Sequence, residues 1–137
     1  MKKLLIVAAL AVLSSAASAG NFSYYCDTEV SCNQLFNDLV TDKFIKKYPD
    51  GKWEIFVLTS MAHFSDGSAS GTAIIGVRPL RKDDLNVLPT RKFYRNGYRE
   101  NLENTYAFKE FEKNLIRNAI TDMMAKCDDT PSCDISR

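Results

Sequence analysis

His63 is the only histidine in the chain, so a catalytic site built on an imidazole base has to run through it. Ser60, Ser65 and Asp66 lie close by in sequence and supply the residue types of a nucleophile and an orienting acid. A triad depends on placement in space, however, and no G-x-S-x-G elbow or comparable motif supports one here. The bland alternative is a histidine at a strand end beside a polar hairpin. The four cysteines offer no better chemistry. Five residues separate the members of each pair, Cys26 and Cys32, Cys127 and Cys133. Zinc sites favour two to four intervening residues and often a histidine, and thiol redox sites favour C-x-x-C. The adjacent acids Asp83-Asp84 and Asp128-Asp129 would point opposite ways in an extended chain. Phosphate-loop, dinucleotide and calcium-loop motifs are all missing. These residues lead us to expect a protein without metal, cofactor or catalytic machinery.

The segment 78–99 is the better lead. It carries seven basic and two acidic side chains, between flanks that are net acidic. Arg78, Arg81, Lys82, Arg91, Lys92, Arg95 and Arg99 surround Phe93, Tyr94 and Tyr98. Arginine interleaved with aromatics grips anions through bidentate and stacking contacts, and the same residues make hot spots against an acidic protein surface. The competing reading is a solvated charge run. Nucleic acid is not expected, because the chain as a whole is nearly neutral, with a formal charge of +1.

The N-terminus bears on where such a protein works. Lys2 and Lys3 precede an apolar run from Leu4 to Leu13, followed by small residues that end in Ala17-Ser18-Ala19. That is the layout of a secretory signal peptide, expected over residues 1–19 and cut after Ala19. The run is about half the ~20 apolar residues that a membrane span needs. Gly20 stands where a lipoprotein would place its cysteine, so neither a span nor a lipid anchor is expected. The remainder, residues 20–137, has the length of a single domain. The expected location is the periplasm, with secretion as the alternative. Four cysteines in an oxidising compartment read as two disulfides. Both pairs sit in the pattern C-D-x-x-x-S-C, and this echo favours Cys26–Cys32 and Cys127–Cys133 over pairing of the two chain ends.

The elements that would position these residues follow from periodicity. Leu35, Phe36, Leu39, Val40, Phe44 and Ile45 step by three and four, which predicts a helix over 28–47 capped by Asp27 or Thr28. Aromatic and β-branched density predicts a central strand from Lys52 to Phe64. Asp66-Gly67 lies in a hairpin loop expected to span 65–71, and a returning strand is expected from Thr72 to Leu80. Pro89 and Asn96-Gly97 read as breakers around a short strand, Arg91 to Arg95, so residues 81–99 are open between strand and loop. Phe108, Phe111, Leu115, Ala119 and Met123 predict a second helix over 102–126. The economical arrangement is an α+β domain: a small antiparallel sheet of two to four strands, packed on one face by an N-terminal and a C-terminal helix and braced by disulfides. Antiparallel helices would bring both cysteine loops to one end of the molecule.

No family signature is present; Ser70-Gly71-Thr72-Ala73-Ile74 departs from the S-G-x-x-Y signature of one group of small periplasmic lysozyme inhibitors, with Ile74 in place of the tyrosine. The function expected is therefore a non-catalytic binding module, such as an inhibitor or immunity-type factor, whose partner is another envelope or secreted protein. The alternatives are an accessory part of a secretion, conjugation or adhesion apparatus, and a small hydrolase using His63. Oligomeric state is not legible in the sequence.

Overall fold

The long apolar stretch after Tyr48-Pro49-Asp50-Gly51 forms a strand, as its β-branched and aromatic content requires. The computed structural model describes residues 22–32, 35–80 and 88–133, so the signal-peptide segment lies outside the described residues. Four strands make one sheet in chain order: β1 (Tyr24–Asp27), β2 (Trp53–His63), β3 (Ala69–Pro79) and β4 (Phe93–Arg99). The helices are α1 (Asp42–Lys47), preceded by a 3₁₀ turn at Asn37–Leu39, and α2 (Thr105–Asp129). β2, β3 and β4 run antiparallel, and β1 lies parallel to β2 with Tyr24 opposite Ile55 and Cys26 opposite Val57. The chain is an α+β domain, but its sheet is mixed and not purely antiparallel.

Alternation along the strands sorts side chains onto two faces. Ile55, Val57, Ala73, Ile75 and Val77 are buried beneath α2, whose Phe111, Leu115, Ile116, Ala119, Ile120 and Met123 complete the core. Asn104 caps α2 by accepting from the Ala107 N–H at 2.9 Å. At the middle of this face Gly71 and Gly97 stand opposite one another on β3 and β4. A Cβ on Gly71 would run into the Met61 side chain and come within 2.9 Å of Leu115 Cδ1, and one on Gly97 would come within 2.8 Å of Leu115 Cδ2. The two glycines form a notch that seats Leu115.

The N-terminal third departs from expectation. The predicted helix over 28–47 is reduced to α1, six residues long, and its apolar spacing serves other ends. Residues 24–27 pair with β2 and cannot lead into a helix, because the Cys26–Cys32 disulfide folds the chain back on itself directly after the strand. Phe44 of α1 is buried among Phe22 and Tyr48, with ring centroids 5.5 and 4.9 Å away. Tyr48 in turn meets Trp53 edge-on at 5.0 Å. Lys47 reaches the C-terminus of α2 and donates to the carbonyls of Cys127 (2.5 Å), Asp128 (3.2 Å) and Thr130 (2.7 Å). These are the oxygens that a helix end leaves unsatisfied, and a cation is favoured there.

Cys26 is bonded to Cys32 and Cys127 to Cys133. The two loops do not meet. Thr28 and Glu29 of the first lie in a cleft with Asn104 and Thr105 at the N-terminus of α2. The second closes the C-terminus of the same helix, where the Cys133 N–H donates to the Tyr48 hydroxyl. A helix of 25 residues is about 37 Å long, so the expectation of both loops at one end is overturned, because no long N-terminal helix runs antiparallel to α2.

Candidate functional site

The basic-aromatic segment is divided by strand alternation. Phe93, Arg95, Gly97 and Arg99 fall on the face that α2 covers; Tyr94, Asn96 and Tyr98 fall on the other. The Asn96-Gly97 pair read as a breaker lies inside β4, which extends to Arg99 because the notch for Leu115 needs a glycine there. Phe93 is partly buried against the core, and the Arg91 guanidinium sits 5.2 Å from its ring centroid. Arg95 reaches Asp122 of α2 at 2.6 Å. Lys92 is partly buried and Arg99 exposed. Arg81 and Lys82 lie outside the described residues.

Arg78 has a different role from that expected of it. It is buried, bonds Glu54 at 2.6 Å and stacks over Tyr25 (4.6 Å) and Phe56 (4.9 Å). A desolvated guanidinium held this way binds the sheet together and is not presented to a ligand. Gly76 beside it lies under the buried Pro89, whose Cβ and Cγ occupy the space a side chain would take. The chain after β3 thus covers one end of the outer sheet face. The other end is left uncovered by the described residues. There Leu58, Ile74 and Tyr94 form a row across three strands, and Ala62, Ser70 and Tyr98 form another. Tyr94 and Tyr98 are 57% and 55% exposed. β4 is the sheet edge among the described residues, so its outward N–H and C=O groups are available to a partner.

His63 lies at the end of β2 on the helix side, exposed, its ring 5.2 Å from that of Phe108. Ser60 is on the opposite face of the strand. Ser68 donates both its hydroxyl (2.6 Å) and its N–H (2.9 Å) to Asp66. The Ser68 contacts hold the Asp66 carboxyl below its ordinary range, with a smaller contribution from His63. These bonds build the hairpin turn.

His63 also lines a cleft of about 770 Å³. Thr59 and Met61 of β2 form one wall, Asp27 at the end of β1 with Thr28 and Glu29 a second, and residues 102–112 entering α2 the third. Among the described residues four acids line it, Asp27, Glu29, Glu103 and Glu112, and no lysine or arginine does. Glu112 is 1% exposed. Its Oε1 accepts from the Thr59 hydroxyl at 2.5 Å, while its Oε2 is buried with no partner among the described residues. Leaving a buried polar atom unsatisfied costs about 1–3 kcal/mol, more for a charged group. No three His, Cys, Asp or Glu side chains among the described residues converge closely enough to hold a metal ion.

Glu112 was missed in the sequence, although a signal existed. It lies four residues after Phe108 and three and four before Leu115 and Ile116, which puts a carboxyl on the apolar stripe of α2. An acid at such a position needs a partner, and reading the stripe for its apolar members alone passed over it. No protein-family model, no curated protein and no solved structure matches this chain, which leaves its own residues and their geometry as the basis for function.

Proposed function

We propose that the protein is an exported, non-catalytic binding module that recognises another envelope or secreted protein through the open end of its outer sheet face. The observation that carries this reading is the pair Tyr94 and Tyr98, more than half exposed on an edge strand beside Leu58 and Ile74. Tyrosine supplies large, rigid contact area at low entropic cost and is enriched among interface hot spots. Lys92 precedes the two tyrosines, and Arg99 follows them on the opposite face of β4, exposed at the sheet edge. The partner is therefore an acidic surface or strand, added along the edge of β4 in the manner of sheet augmentation.

Export rests on the residue pattern of 1–19 and on the two disulfides. Among the described residues no helix is long and apolar enough to cross a membrane.

The test is capture from envelope extract with the wild type beside a Tyr94→Ser/Tyr98→Ser variant and a Lys92→Gln/Arg99→Gln variant. Retention of one acidic protein by the wild type, lost in the first variant and weakened with rising salt in the second, is the expected result. Equal retention by all three forms would remove the site from β4.

A further inference from the structure

We infer that the cleft between the end of β2 and the first turns of α2 binds a protonated alkylamine, with Glu112 as its counter-ion. This site is on the helix side of the sheet and stands independently of the protein-binding reading.

Three features converge on that ligand chemistry. The first is charge: among the described residues four carboxyl side chains line the cleft and no lysine or arginine does. The second is the orphan oxygen. Thr59 fixes one oxygen of Glu112 and orients the group, while Oε2 has no hydrogen-bond partner among the described residues. A buried acceptor of this kind calls for an N–H donor with positive charge. The third is the wall. Met61, Leu102 and Phe108 give a partly buried apolar flank suited to methylene groups. A metal ion fits less well, because the acids do not converge into a ligand set.

The position along the helix matters. The N-terminus of α2 is its positive end and disfavours a cation at the rim by Asn104 and Thr105. Glu112 is seven residues further on, about 10 Å along the axis, beyond the reach of that end effect. The ammonium group therefore sits at the deep end and the rest of the ligand lies toward the rim. The volume lies within the ~300–1,000 Å³ of small-molecule sites and leaves room for more than a simple amine. An amine of this class is carried either by a free diamine or by a lysine side chain.

The test is titration of ¹⁵N-labelled protein, expressed from the full chain, with 1,5-diaminopentane, with Nα-acetyl-lysine methylamide and with the uncharged control 1-pentanol, followed by amide shifts. Saturable shifts confined to Thr59–His63 and Asn104–Glu112 are expected with the amines and not with the alcohol. Glu112→Gln keeps the shape and removes the charge, and should weaken binding at least tenfold. Tighter binding of the diamine would assign the site to a free amine, and tighter binding of the lysine derivative to a lysine side chain; either ranking supports it. The comparison of amine with alcohol on the wild type needs no variant, so it decides the matter even where Glu112→Gln fails to fold. Absence of saturation by either amine, identical shifts with pentanol, or undiminished binding by folded Glu112→Gln would overturn the assignment. So would the same shifts produced by calcium chloride alone.

Discussion

Tyr24 shows how a single buried group links the fold to pH. Its hydroxyl is enclosed without a partner among the described residues. Burial raises the phenol well above its ordinary value of 10.0, and the negative charge of Asp38 adds to the effect. In the unfolded chain the same phenol ionises near that ordinary value. The folded state therefore keeps a proton that the unfolded state gives up, and stability present below about pH 10 is lost as pH rises above it. Base-induced unfolding followed by circular dichroism should begin in that range, and Tyr24→Phe should move its midpoint upward. At neutral pH the same substitution should leave the melting temperature unchanged or slightly higher, since no hydrogen bond is forfeited. The aromatic half of the basic segment was legible in the sequence as a cluster. Its division onto two faces was legible too, from alternation, once Asn96-Gly97 is taken as strand. The burial of Arg78 was not, because its partners Glu54, Tyr25 and Phe56 are distant in sequence and only strand register brings them together.

The elements are held to one another by a few specific contacts. Leu115 in the notch of Gly71 and Gly97 fixes how closely α2 approaches the sheet. Gly97→Val should cost about 1–3 kcal/mol by overpacking, seen as a lower urea midpoint. Leu115→Ala in the same chain should recover part of that loss, giving a coupling that independent sites would not show. At the far end of α2, Lys47→Met removes the donor to the carbonyls of Cys127, Asp128 and Thr130. A loss of roughly 2 kcal/mol is expected, with amide exchange accelerating first in residues 124–129. β2, β3 and α2 could be placed from periodicity because each is long enough for its repeat to dominate. The N-terminal third could not be. Six apolar residues spaced for a helix satisfy a 3₁₀ turn, a six-residue helix and an aromatic cluster equally well. A four-residue parallel strand leaves almost no local signal, since its partner lies about thirty residues away.

Taken whole, the molecule is one sheet with different chemistries on its two sides: an acid-lined cleft under the start of α2, and exposed tyrosines on the other face. Neither disulfide spans the domain, so the helix and sheet core carries the architecture. In the chain-entropy model a loop this short contributes roughly 2 kcal/mol. Cys26→Ala/Cys32→Ala should therefore fold, with a lower melting temperature. Cys127→Ala/Cys133→Ala should lose more, because both of its cysteines are fully buried and their removal leaves a void as well.

That each cysteine bonds its nearest neighbour in the chain also bears on biogenesis. On the export route proposed above, Cys26 and Cys32 emerge from the translocation pore together, long before Cys127. A thiol oxidase that joins cysteines in the order they appear would form both native bonds at the first attempt. Maturation should then depend on an oxidase and be indifferent to a disulfide isomerase, since no wrongly paired intermediate lies on the path.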